Sequence, residues 1–190
     1  PIDNDDFGGN KQFIVSIGGN SSNYPTSVQV STMVTIIDDE HPLKDWIGTY
    51  TVNAASYGSP GAWDETWNVK TEAVPDDPTK LYITGISAND SDTLIATVDR
   101  VNMTIELESA QALGVVYGEV NGNVAVYYAT DEIIALAGLP LTSDQITDAA
   151  SRKIIGTIEA DGTISIDRFG LILTDYVWCY DVFNTTWIKN

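Results

Sequence analysis

Cysteine and histidine each occur once in this 190-residue chain, as Cys179 and His41. A single cysteine closes no internal disulfide, so the fold has to be held by its apolar core. One cysteine and one histidine cannot make a structural or catalytic zinc site of the usual ligand types. Nucleophilic triads lack a base, because His41 lies in a polar connection far along the chain from Cys179. Cys179 stands between Trp178 and Tyr180 and reads as a buried, inert strand thiol.

Positive charge is scarce as well. Nine Lys and Arg face 27 Asp and Glu, a formal net charge of −18. A field of that sign repels phosphate backbones and anionic lipid surfaces, which argues against nucleic acid as a partner, and it attracts cations. There is no run of 18 apolar residues, so no membrane insertion of this chain is expected. Gly8-Gly9 and Gly18-Gly19 lack a following Lys-Ser/Thr and open no helix, so nothing cradles a phosphate. Asp64 and Glu65 are neighbours that point to opposite faces of a strand, and Asp76-Asp77 lies in a turn between Pro75 and Pro78. Neither pair addresses one substrate, no reaction can be assigned, and the chain is expected not to be an enzyme.

What is present is β signal. Hydrophobic residues make up 43% of the chain and charged ones 19%, a composition that folds. Strands are expected at Phe13 to Ile17 and Val28 to Ile37, followed by a break at Asp38-Asp39-Glu40-His41-Pro42. From Trp46 onward the strand signals recur at short intervals, which is the pattern of a sandwich or barrel. The expected strands are Trp46 to Asn53, Thr66 to Ala73, Leu81 to Ile86, Thr93 to Asp99, Val101 to Leu107, Val115 to Val120, Val124 to Ala129, Ile154 to Glu159, Thr163 to Asp167 and Leu171 to Phe183. Val101, Met103, Ile105 and Leu107 alternate with polar residues and are expected on one buried face. Asn121-Gly122 and Asp161-Gly162 each sit between apolar runs as hairpin turns and suit type I′ geometry. One short helix is expected over Ile146 to Lys153, capped from Thr142-Ser143-Asp144-Gln145.

The segment from Ile2 to Ile17, with its acidic turn Asp3-Asn4-Asp5-Asp6 before Phe13-Ile14-Val15-Ser16-Ile17, and the run Val34 to Glu40 resemble the second half of a Calx-beta domain. The resemblance implies an immunoglobulin-like β segment over residues 1–43. In calcium-binding members the acidic turn and the terminal acidic run converge, which points here to Asp3, Asp5, Asp6, Asp38, Asp39 and Glu40. Asn4 and Gly8 depart from that pattern and the first half of the sandwich is missing, so no cofactor is expected and calcium is the alternative. Trp46-Ile47-Gly48-Thr49-Tyr50, Leu81-Tyr82-Ile83-Thr84-Gly85-Ile86 and the Asp161-Gly162 hairpin are similar to lipocalin-like, or calycin-like, barrels of Bacteroidetes surface lipoproteins. This resemblance implies an antiparallel β-barrel over residues 44–190.

The expectation is therefore an all-β chain in two parts, serving as a non-catalytic module of a bacterial envelope lipoprotein. Its place would be the cell surface or periplasm, with a lipid anchor upstream of residue 1. Tyr57, Trp63 and Trp67 flank the loop Gly58-Ser59-Pro60-Gly61 and are the candidate contacts for a small molecule or glycan at a barrel mouth. The alternative is a structural or adhesive surface protein whose barrel is filled by its own side chains.

Overall fold

The computed structural model describes residues 11–17, 20–21, 24–25, 30–36, 41–58, 61–87, 93–114 and 123–190. Strand β1 (Lys11–Ile17) pairs antiparallel with β4 (Val30–Ile36), and the two-residue strands β2 (Asn20–Ser21) and β3 (Tyr24–Pro25) pair with each other. Phe13, Ile14, Val15, Met33 and Ile36 on the β1–β4 ribbon are all exposed. The expected acidic ligands Asp3, Asp5, Asp6, Asp38, Asp39 and Glu40 lie outside the described residues.

The remaining strands are β5 (Gly48–Tyr57), β6 (Ala62–Ala73), β7 (Lys80–Thr84), β8 (Leu94–Asp99), β9 (Thr104–Glu108), β10 (Gln111–Ala112), β11 (Val124–Tyr128), β12 (Lys153–Ile158), β13 (Ile164–Leu173) and β14 (Trp178–Lys189). Helices α1 (Asp131–Ala135) and α2 (Ser143–Ala150) lie between β11 and β12. Pairing runs β13-β12-β9-β8-β7-β6-β5-β14, and β14 returns to β13, so eight antiparallel strands close into a barrel. Alternation makes the barrel face. Tyr50, Val52, Ala54 and Ser56 of β5 point inward, as do Leu94, Ala96 and Val98 of β8 and Ile105 and Leu107 of β9.

One end is plugged by a 3₁₀ turn, Lys44–Trp46, preceded by buried Leu43, which belongs to the barrel core. The Trp46 indole donates to the Glu159 carbonyl at 3.0 Å, and the Thr71 hydroxyl donates to the Trp46 carbonyl at 2.5 Å. Above the plug, fully buried Trp187 meets Tyr50 edge-on at 6.2 Å and donates to the Thr185 hydroxyl at 3.0 Å. Burial pushes the Tyr50 phenol up to about 12.

Beyond the barrel ring, the second half of β13 continues between β11 and β14 as a wall with two covered faces. Its inner face adds Val124, Val126, Leu171 and Phe183 to the barrel core. Its outer face packs Ala125, Tyr127, Ile172, Cys179 and Val182 against Ile133 of α1 and Ala149 of α2. Helix α2 starts with a capping box: the Thr142 hydroxyl accepts from Gln145 N, and the Gln145 side chain accepts from Thr142 N. Helix α1 was not expected from the sequence, because five residues show too little of a helical period.

Several local expectations need correction. Val101 is 91% exposed and lies in a turn, and only Ile105 and Leu107 of the expected four are fully buried, with Met103 partly buried against the core. The Asp99 carboxylate accepts from Val101 N at 2.9 Å and Asn102 N at 3.0 Å, so it forms the β8–β9 turn and starts the strand at Thr104. The apolar run from Leu171 to Phe183 is two strands, because residues 174–177 turn and Val177 takes a φ of 52°. Asp161-Gly162 does make the β12–β13 hairpin, but only Gly162 has a positive φ, +92°, and Glu159 N bonds to the Thr163 carbonyl. The loop is thus three residues with glycine in the left-handed position, not a two-residue type I′ turn. His41 is buried, and its Nδ1 accepts from Leu43 N at 3.1 Å, so it shapes the plug and is not in a solvated linker. The Asn121-Gly122 hairpin and the strand Val115 to Val120 lie outside the described residues.

A Cβ at Gly156 would stand 2.3 Å from the Ser165 carbonyl and 3.0 Å from Ile105 and Ile166 side-chain atoms, inside paired strands that cannot yield. Gly156→Ala is expected to lower stability by about 1–3 kcal/mol, the usual cost of overpacking; an unchanged urea midpoint would contradict this. A two-stranded ribbon with exposed apolar side chains is marginal in water. Amides of β1 and β4 are therefore expected to lose hydrogen-exchange protection before those of Ile105 and Leu107, and equal protection would join ribbon and barrel in one cooperative unit.

Candidate functional site

At the end opposite the plug, β6 runs past β7, whose pairing starts only at Lys70, so its first half has β5 as its sole described neighbour. Strand periodicity places Trp63, Glu65 and Trp67 on the inner face of this arm, all partly exposed. Trp67 is held in place: its indole donates to the Gly85 carbonyl at 2.8 Å, and its ring meets Phe183 edge-on at 5.7 Å. Phe183 in turn stacks on Phe169 at 5.2 Å. Glu65, between the two indoles, accepts from the Ser56 hydroxyl of β5.

Asp181 of β14 completes the group. A bulge at Tyr180, between the pairs Leu171 with Asp181 and Ile172 with Cys179, resets the alternation of β14. Burial, with the nearby Glu65 carboxylate adding to it, pushes Asp181 up to about 6. Gly58 makes room for this side chain, since a Cβ there would sit 2.4 Å from Asp181 Oδ1 and 3.0 Å from the Trp63 ring. Among the described residues no basic side chain forms an ion pair with Glu65 or Asp181. Two indoles, two carboxyl groups and a hydroxyl thus share one inner surface, suited to accepting hydrogen bonds from a ligand that also offers a flat or apolar face.

Of the three aromatic residues singled out in the sequence, Trp63 and Trp67 come together here. Tyr57 does not: it follows inward-facing Ser56 and packs on the outer face with the cluster around Cys179. Cys179 is buried, and burial pushes its thiol up to about 12, which leaves it without nucleophilic character at neutral pH. No group of three metal-ligating side chains occurs among the described residues. No helix among them is long and apolar enough to cross a membrane. The pairing of Glu65 with Asp181 had no signal in the sequence, where the two lie on distant strands.

The raised Asp181 makes a pH prediction. An acid whose folded-state value lies above its ordinary one contributes stability at low pH and loses it as pH rises through the folded value. For Asp181 the loss falls between 3.8 and about 6. Asp181→Asn is expected to be more stable than the parent at neutral pH, with the gap closing in acid below the ordinary carboxyl value, as read from urea midpoints across pH. A gap of constant size would show that the carboxyl is not the cause. No family model matches this chain, and neither a curated protein nor a solved structure matches it.

Proposed function

We propose that the chain is a non-catalytic binding module that takes a small polar molecule or the end of a glycan at the open end of its barrel. The observation that carries this reading is the inner surface of Trp63, Glu65 and Trp67 facing Asp181, where carboxyl groups without a basic partner among the described residues stand beside partly exposed indoles. An indole face stacks on a sugar ring or covers an ammonium group, and the carboxylates accept its hydroxyl or ammonium protons. The setting that fits is an extracytoplasmic one, with a Calx-beta-like segment spacing a lipocalin-like barrel from an envelope anchor. This setting rests on the sequence resemblances and on the acidic surface.

A second reading, a scaffold or adhesive protein without a ligand, draws on the filled interior. One contiguous cluster runs from Leu43 and Trp46 through Tyr50 and Trp187 to Phe183, so any ligand meets the barrel at its rim and not in a deep calyx.

The two readings separate in a binding screen of the whole chain against an immobilised glycan panel and a set of small amines, followed by tryptophan fluorescence. Trp63→Ala and Glu65→Gln are each expected to weaken a hit at least about tenfold, equivalent to ~1.4 kcal/mol, with the circular dichroism of the fold unchanged. Absence of any saturable hit supports the scaffold. Recovery of a bound glycan in cleaved form would overturn the non-catalytic assignment.

A further inference from the structure

Outside the barrel, a second concavity of about 600 Å³ opens between the start of α2, the start of α1 and the middle of β13. Its floor is Tyr128, the last residue of β11, with the guanidinium carbons of Arg152 and Arg168 at 5.6 and 5.8 Å from the ring centre. The chain has only three arginines, so two of them meeting on one ring in a protein of net charge −18 is a concentration of its scarcest charge.

The fold works to bring Arg168 there. It sits in the β13 bulge opposite Asn184 with a φ of 57°, a conformation that a non-glycine residue adopts at a cost. Its N–H donates to Asn184 Oδ1 at 3.1 Å and its carbonyl accepts from Ala129 N at 2.6 Å, which pin the bulge and direct the side chain over Tyr128. Arg152 is carried in from the end of α2, and the Ser109 hydroxyl ties it to Tyr128 by donating to the Arg152 carbonyl and accepting from Tyr128 N.

Both guanidinium groups of this wall are already paired, and its four carboxylates leave it a formal −2. Arg168 pairs with Asp131, Arg152 with Asp148, and Gln145 donates to Glu132, while Asp144 lies in the first turn of α2 at the positive end of its dipole. An anion would meet these four carboxylates and a cation the two guanidinium groups. What stays open is hydrogen-bonding capacity of both kinds: spare carboxylate lone pairs, and the guanidinium N–H groups that Asp131 and Asp148 do not take up. Groups that donate and accept at once satisfy such a wall, and a hydroxyl is the simplest of them. We infer that the cleft is a second binding site, independent of the barrel mouth, for a neutral, hydroxyl-rich ligand of mono- or disaccharide size. A volume of about 600 Å³ lies within the ordinary range of roughly 300–1,000 Å³ for small-molecule sites, and two guanidinium groups preset on one ring reduce the ordering cost of binding.

The test uses the whole chain in titration calorimetry and saturation-transfer NMR. The probes are glucose, galactose, N-acetylglucosamine and cellobiose, with glucuronate and glucosamine as charged counterparts. Arg168→Gly removes the guanidinium while installing the residue that best accepts a φ of 57°, so the bulge survives, and circular dichroism confirms the fold. At least one neutral sugar is expected to bind saturably, at least about tenfold more weakly in Arg168→Gly and in Arg152→Gln, and unchanged in a Trp63→Ala/Trp67→Ala double variant. The inference is overturned if none of the four neutral sugars saturates, if glucuronate or glucosamine binds more tightly than all of them, or if Arg168→Gly binds like the parent. Loss in the tryptophan variant with retention in Arg168→Gly would assign the sugar to the barrel mouth and likewise overturn it.

Discussion

Everything distinctive in this molecule hangs on the pairing of β14 with both β13 and β5. A meander from β5 to β9, continued by β12 and β13, would leave two unpaired edges, and unpaired edges recruit other chains. The twelve residues of β14 fill that gap, bonded to β13 from Ile164 to Leu173 on one side and to β5 from Tyr50 to Tyr57 on the other. Closure also buries Trp187 and Thr185 at the barrel axis, where the chain Trp187 to Thr185 to the Ile166 carbonyl satisfies the polar atoms that burial would otherwise strand.

The same seam carries two irregularities, and each supplies a candidate site. On β13 the residues Asp167 and Arg168 oppose Asn184, which swings Arg168 out toward Tyr128. On β14 the extra residue Tyr180 lets Cys179 and Val182 face the helices while Asp181 sits by Glu65. A regular ladder could do neither, because strict alternation sends every second side chain to the same face. The insertion of β10, β11, α1 and α2 between β9 and β12 follows from this geometry. The prolonged half of β13 has an apolar outer face, and Ile133 and Ala149 of the helices cover it.

Charge is handled differently at the two places. At the barrel mouth burial, with the Glu65 carboxylate adding to it, holds Asp181 well above the ordinary carboxyl value, and no basic side chain among the described residues forms an ion pair with either. In the outer cleft both arginines are paired, Arg168 with Asp131 and Arg152 with Asp148, Glu132 accepts from Gln145, and the side chains are left with spare donors and acceptors. The difference in chemistry between the two surfaces comes from Arg152 and Arg168, which stand in the outer cleft and pair with its acids.

Much of the fold was legible one segment at a time. Strand-forming residues marked β5 and β8, alternation marked β9, Asp161-Gly162 marked a hairpin, and Thr142 with Gln145 marked the start of α2, because each depends on residues a few positions apart. Where local signals competed, the pattern misled: Val101 continues the alternation of Ile105 and Leu107 in sequence, yet the Asp99 carboxylate captures its amide and turns the chain first. Tyr57, Trp63 and Trp67 could be named together from the loop they flank, but which of them share a face could not be assigned before the β5–β6 register was known. Glu65 beside Asp181, and Arg152 with Arg168 on Tyr128, came only with the closed barrel. Periodicity and turn chemistry are short-range and are written along the chain; which distant side chains meet depends on barrel register and on two bulges, and these are settled only when the whole sheet closes.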